Sequence, residues 1–172
     1  MVVWPQNNKE MKELFDIITE RRSTRKFTDQ PIEQEKLDLI LKSALMAPSS
    51  KRCTPWHFMV VEDASDLQII SESRQMGSAF VSGAKLAIVV LAEEEKSDVW
   101  VEDASIAACY IQLMAESLGI GSCWVQVRNR KKNDDETTED VLKSLLNIPD
   151  GLRAECVIAL GYKGEEKAPF DQ

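Results

Sequence analysis

The chain holds a single histidine, His57, and four cysteines, Cys53, Cys109, Cys123 and Cys156, none of them spaced as CxxC. That scarcity excludes a histidine-based metal centre and leaves neither a zinc cluster nor a disulfide framework to expect. A Ser-His-Asp triad would have to use His57, which opens the apolar stretch Phe58 to Val61 and reads there as a residue satisfying local hydrogen bonds. Long apolar runs are missing too. Leu86 to Ala92 is the longest, far below the roughly 20 residues that cross a bilayer. Met1 to Asn8 contains no apolar core of signal length, so a cytoplasmic protein without a membrane partner is expected. Positive charge is in deficit, with a net charge of −8 and a pI near 4.8, which argues against nucleic acid as a partner.

Basic residues do cluster at Arg128-Asn129-Arg130-Lys131-Lys132, but Asp134-Asp135-Glu136 follows and cancels them. A solvated loop and a rim attracting dinucleotide phosphates are the two readings of that run. No repeat, low-complexity stretch or linker divides the sequence, and 172 residues suffice for one hydrophobic core, so a single domain over residues 1–172 is expected.

Apolar periodicity supplies the elements. Met11, Leu14, Phe15 and Ile18 recur at helical spacing and predict a helix from Lys9 to Arg22 with one buried stripe, delivering Arg21 and Arg22 at its end. Leu37, Ile40, Leu41, Ala44 and Leu45 predict a second helix that stops before Pro48. A strand over 58–62 and a short helix over 66–74 follow, then a stronger strand over 85–92. The longest helix is expected from Asp98 to Leu118, with Asp103, Ile106, Ala107, Tyr110, Leu113 and Met114 along one face and Gly119 as its cap. Cys123 to Val127 and Ala154 to Leu160 read as strands. Between them Thr137 and Asp140 form a capping pair for a helix carrying Val141, Leu142, Leu145 and Leu146, ended by Pro149. No regular βαβ repeat emerges, so the fold class is α+β, three-layered around a small mixed sheet with a long central helix.

Arg21-Arg22-Ser23-Thr24-Arg25 gathers three guanidinium groups and a hydroxyl, suited to a phosphate and a polar ligand tail, or simply to a solvated helix end. Ala47-Pro48-Ser49-Ser50 and Pro55-Trp56 form a turn whose prolines fix the backbone and whose serines offer hydroxyls, or a plain connection into a strand. Gly119-Ile120-Gly121 leaves a helix and opens a strand, the reverse of a phosphate-binding glycine loop, so a Rossmann site is rejected. A helix cap and a backbone passing close to a flat ligand are equally compatible with it.

In order and spacing, these stretches, with Leu118-Gly119-Ile120-Gly121-Ser122-Cys123-Trp124 and Leu160-Gly161-Tyr162, resemble the flavin-mononucleotide (FMN) dependent nitroreductase family from about Glu13 to Lys167. The resemblance implies an intertwined α+β homodimer with one FMN at each of two interface sites. It implies that Arg21, Arg22, Ser23 and Arg25 of one subunit hold the phosphate, ribityl chain and pyrimidine edge. Pro48, Ser49, Ser50 and Arg52 then come from the other subunit, and Trp124, Val125 and Gln126 lie along the ring near its reactive nitrogen. The implied reaction takes hydride from NADH or NADPH onto flavin and passes electrons to a nitroaromatic, a quinone or another small acceptor by a ping-pong course, with no dedicated acid or base. A flavin-binding carrier or sensor without turnover is the alternative. Reductive dehalogenation, flavin fragmentation and a purely structural homodimer rank below it.

This chain departs from the family pattern in three places. Arg52 stands where asparagine is common and Thr54 where glutamine is. The basic residues that commonly follow the last strand and clamp the phosphate have only Lys163 and Lys167 as substitutes. The chain is also short, which implies an open or minimal substrate pocket.

Overall fold

A computed structural model describes residues 14–170. Its centre is β2 (Leu86–Glu93), whose unbroken apolar run has both faces covered. Leu86, Ile88, Val90 and Ala92 point to one helical layer, and Ala87, Val89 and Leu91 to the other. A strand in the middle layer needs no polar alternation, which is why its signal in the sequence is a continuous run. β1 (Trp56–Val61) and β4 (Leu152–Tyr162) flank it, and β3 (Ile120–Gln126) completes the sheet in the order β1-β2-β4-β3. All three strand pairs are antiparallel. The expected mixed sheet is thus corrected, because the one parallel pairing among the described residues is a single bridge, Ser23 to Ser122.

One layer comprises α2 (Gln34–Leu45) packed on the long α4 (Trp100–Ser117), where Ala104, Ala108 and Ala115 are fully buried and let the backbones approach. The other contains α3 (Ala64–Ser71) and α5 (Thr138–Leu146). The capping pair is present as expected. Thr137 Oγ1 accepts from the Asp140 N–H at 3.1 Å and the Asp140 carboxylate accepts from the Thr137 N–H at 3.1 Å. α5 stops at Leu146 because Asn147 turns left-handed at φ 50°, two residues ahead of Pro149.

Two expectations about helical faces are corrected. In α1 (Leu14–Glu20) Ile17 is buried, whereas Leu14, Phe15 and Ile18 are 63%, 73% and 50% exposed, so the apolar stripe is not covered within one chain. Met11, and the helix turn expected before Leu14, lie outside the described residues. In α4 the buried line runs through Asp103, Ala104, Ala107, Ala108, Ile111 and Ala115, while Ile106 and Tyr110 emerge at the surface. Alanines define the buried face there, and their low hydrophobicity lets the larger residues dominate a periodicity reading.

Candidate functional site

Residues 21–28 are not the end of a helix. α1 stops at Glu20, and the chain then runs extended over the ends of β3 and β4. The Thr24 N–H donates to the Ser122 carbonyl at 2.9 Å and the Thr28 N–H to the Tyr162 carbonyl at 2.9 Å. The sheet accepts this crossing at two glycines. A Cβ on Gly121 would meet Thr24 Oγ1 at 2.7 Å, and one on Gly161 would meet Phe27 Cδ1 at 2.8 Å, both closer than real Cβ contacts allow. The expected turn over 119–122 is therefore strand from Ile120 onward, and its second glycine is a seat for Thr24.

This docking gathers the arginine motif around Cys123. Burial pushes the Cys123 thiol up, opposed by Arg25, the Ser23 hydroxyl, Lys167 and Arg21. Arg25 also lies 5.7 Å over the Phe80 ring. Arg22 donates from Nη1 to the Ala168 carbonyl, and Lys167 donates to the Ser23 carbonyl. The Arg25 N–H and Lys167 together hold the Glu165 carboxyl down at about 2. Beside this turn opens a cavity of about 620 Å³, lined by Arg22, Thr24, Lys163, Glu165 and Lys167 among others. Both lysines expected as replacements for the basic tail reach this region, though each is engaged. Lys163 pairs with the buried Glu116 carboxylate at 2.6 Å and Lys167 with Glu165 at 2.9 Å.

Pro48 to Thr54 forms a loop that Asp103 organises from the first turn of α4. This buried carboxylate accepts from the Ser50 N–H at 2.8 Å and from the Ser97 hydroxyl at 2.7 Å. Ser49 Oγ accepts from the Thr54 N–H at 2.9 Å. Lys51, Arg52 and Thr54 all take positive φ, at 52°, 57° and 42°. No hydrogen bond or ion pair among the described residues joins Pro48, Ser49, Ser50 or Arg52 to Arg21, Arg22, Ser23 or Arg25 within one chain.

β3 is an edge strand, paired only with β4. The Ser122 carbonyl turns outward to Thr24, so the period of two also turns the main-chain groups of Trp124 and Gln126 away from β4. Val127, with the opposite parity, donates inward to the Glu155 carbonyl at 3.1 Å. Beyond Ser122 the outer edge of β3 has no covering strand among the described residues. Val125 is buried and, having the opposite parity to Trp124 and Gln126, turns its main-chain groups toward β4 rather than toward the open edge. The Gln126 side chain accepts from Trp124 Nε1 at 2.9 Å and donates to Glu155 Oε1 at 3.0 Å.

The guanidinium groups of Arg21, Arg25 and Arg52 have no hydrogen-bond or ion-pair partner among the described residues. Of these, Arg21 and Arg25 act on Cys123 of the edge strand β3, and guanidinium groups without an ion-pair partner beside such an edge suit a planar ligand that carries a phosphate.

Asp103 and Glu155 were missed in the sequence. Each was signalled by a lone carboxylate inside an otherwise apolar line, α4 for one and Ala154 to Leu160 for the other. His57 is exposed and pairs with Glu93 at 2.8 Å, a local role as expected. Lys131 and Lys132 are exposed, and Lys132 pairs with Glu136 at 3.1 Å, which favours the solvated-loop reading. All four cysteines are free, and no group of metal-binding side chains occurs among the described residues. No helix among them is long and apolar enough to cross a membrane.

The Nitroreductase family profile matches residues 18–77 and 62–162. An Archaeoglobus fulgidus protein, provisionally named NADH dehydrogenase/NAD(P)H nitroreductase, is 40% identical over 161 residues, covering 91% of this chain and 89% of the relative. The solved FMN-dependent nitroreductase of Clostridium difficile R20291 superposes with a TM-score of 0.90 at 48% identity, over 92% of each chain. A provisionally assigned nitroreductase of Desulfovibrio desulfuricans, solved in complex with FMN, superposes at 0.79 with 25% identity, over 94% of this chain and 92% of that one.

Proposed function

The chain belongs to the nitroreductase family, and from that premise we propose that it is a homodimeric, FMN-dependent NAD(P)H oxidoreductase that reduces a small acceptor such as a nitroaromatic or a quinone. The observation that carries this reading is the open edge of β3 at Trp124 and Gln126, flanked by guanidinium groups with no partner. The donor set fits FMN, with cations for a phosphate, hydroxyls at Ser23, Ser49 and Ser50 for the sugar chain, and an unpaired strand edge for the ring. The Desulfovibrio relative's complex supports the choice of cofactor.

When bound, FMN supplies the two-electron chemistry, accepting hydride from NAD(P)H and returning electrons to the second substrate. The protein's part is placement and charge. Arg21, Arg22 and Arg25 would hold the phosphate and the pyrimidine edge, placing positive charge where the bound cofactor carries or gains negative charge. Gly121 keeps those arginines in register with β3 by admitting Thr24. The outward main-chain groups of Trp124 and Gln126 would hydrogen-bond the ring edge and so orient the ring in the site. Pro48, Ser49, Ser50 and Arg52 close the site from the second subunit. The absence of any hydrogen bond or ion pair between them and the arginine motif among the described residues, and the uncovered apolar faces of α1 and α4, support a shared site.

Anaerobic titration of the purified protein with NADH and with NADPH tests this function. A yellow protein whose absorbance bleaches with one or both donors and returns on adding an acceptor is the expected result, with parallel steady-state lines when both substrates vary. A yellow protein that neither donor bleaches identifies a carrier or sensor instead, and a colourless protein that takes up no FMN overturns the proposal.

A further inference from the structure

Glu155 is the extra residue of a β-bulge. Its neighbours Cys156 and Ala154 oppose Val90 and Leu91 on β2, which are adjacent in the chain, so Glu155 itself opposes nothing. Bulges re-aim a side chain and a carbonyl, and here both turn toward the end of β3. The Glu155 carbonyl accepts from the Val127 and Arg128 N–H groups at 3.1 Å each and from Gln126 Nε2 at 3.1 Å. Its carboxyl Oε1 takes the same amide at 3.0 Å. Gln126 in turn accepts from the Trp124 indole at 2.9 Å. A continuous chain of hydrogen bonds thus runs from the bulge to the two residues whose main-chain groups face the open strand edge. Glu155 is 4% exposed, and its second oxygen, Oε2, is buried with no partner.

An orphaned carboxyl oxygen is costly, and an apolar residue of similar shape would fill the bulge without that cost. A purely structural account of Glu155 is therefore weak. We propose that Glu155 is a positioning residue for the flavin edge, gripping the Gln126 amide and through it Trp124, so that the outward main-chain groups of both residues keep the spacing the ring requires. The proposal rests on the FMN reading above. Burial also pushes the Glu155 carboxyl up. The Gln126 amide and Arg128 oppose that shift, and Glu102 and Glu139 reinforce it. Glu139 is itself paired with Arg153 at 2.9 Å, and the neighbouring Cys156 thiol is pushed well up. The grip changes with protonation, since the carboxylate Oε1 accepts the Gln126 amide as a charged, stronger acceptor and the neutral acid as a weaker one.

Two measurements on the full chain test the proposal. In FMN-free protein, tryptophan emission is followed from pH 5 to 9 for the wild type, Glu155→Gln and Trp124→Phe. A transition present in the wild type and absent from both variants is expected. FMN dissociation constants and the visible spectrum of the bound flavin are then compared for Glu155→Ala, Gln126→Ala and the double variant. Each single change is expected to weaken FMN binding about tenfold, the order of a lost hydrogen bond to a charged group, with no further loss in the double variant. Glu155→Gln keeps affinity within about threefold but makes the bound-flavin spectrum independent of pH. Additive losses, or an unchanged affinity and spectrum in Glu155→Ala beside a lowered melting temperature, leave only a structural residue and overturn the proposal. If wild-type protein takes up no FMN, the cofactor reading fails and this one with it. The apoprotein emission transition would still persist in that case, showing which premise was wrong.

Discussion

Lys51, Arg52 and Thr54 hold left-handed backbone within one short loop, a conformation that costs an ordinary side chain roughly 1 kcal/mol and that asparagine tolerates better. Replacing Arg52 by asparagine, the residue the family pattern favours there, is expected to stabilise the FMN-free protein by about 0.5–1 kcal/mol in urea denaturation. It removes an unpaired guanidinium from the proposed site, so FMN affinity should fall while stability rises. An Arg52→Asn protein that gains affinity would show that this arginine does not face the cofactor. The buried acid at the bulge makes a prediction of the opposite kind. Its carboxyl is raised by burial, so its contribution to stability is present in acid and is lost as pH rises through the raised value. Wild type should therefore lose stability relative to Glu155→Gln between pH 5 and 8, measured by urea midpoints. A constant difference across that range would mean the carboxyl is not perturbed. Both residues were in plain sight in the sequence. What the sequence did not display was backbone conformation, the left-handed loop in one case and the bulge in the other.

At the scale of elements, the docking of residues 21–28 on β3 and β4 explains why the arginine motif and the two glycine-containing stretches occur together. Gly121 and Gly161 are holes for Thr24 and Phe27. Gly121→Ala should force the arginine segment off the sheet and destabilise the protein by about 1–3 kcal/mol, the usual cost of overpacking. Adding Thr24→Gly should restore part of that loss, because the clash is with the Thr24 side chain. Denaturation of the single and double variants decides this, and a Gly121→Ala protein as stable as wild type would refute the close approach. The helices and strands whose partners lie nearby in the chain, or whose patterns are strong, were legible: α2, β2, and α5 with its capping pair. The start of β3 was not, since Gly119 to Ser122 carries turn chemistry and residues 120–122 become strand only by pairing with Leu160 to Tyr162 of β4, far along the chain, with Thr24 added on the outer edge. The role of Asp103 was hidden for the same reason. Its partners, the Ser50 N–H and the Ser97 hydroxyl, approach only in the folded chain.

The whole molecule leaves Leu14, Phe15 and Ile18 on α1, Leu39 and Leu45 on α2, and Ile106 and Tyr110 on α4 exposed. Since α1 and α2 both pack on α4, these residues mark a broad apolar surface of the sort that monomers rarely leave uncovered. Helical periodicity correctly reported that α1 has an apolar stripe, but periodicity cannot say whether the cover comes from the same chain or another. Under the proposed function a second copy is the cover that would also complete the site, by bringing Pro48, Ser49, Ser50 and Arg52 to the arginine motif. Phe15→Glu places a charge at the centre of that stripe, where burial would leave it unpaired. The variant is expected to sediment as a monomer at micromolar concentration and to lose FMN binding, although residue 15 touches none of the proposed ligand groups. Far-ultraviolet circular dichroism should stay that of the wild type, since Phe15 is 73% exposed within one chain and lies outside its buried core. Sedimentation velocity combined with FMN fluorescence quenching reads both effects in one sample. A monomeric Phe15→Glu protein that still binds one FMN per chain with wild-type affinity would separate the dimer from the site and confine each site to a single subunit.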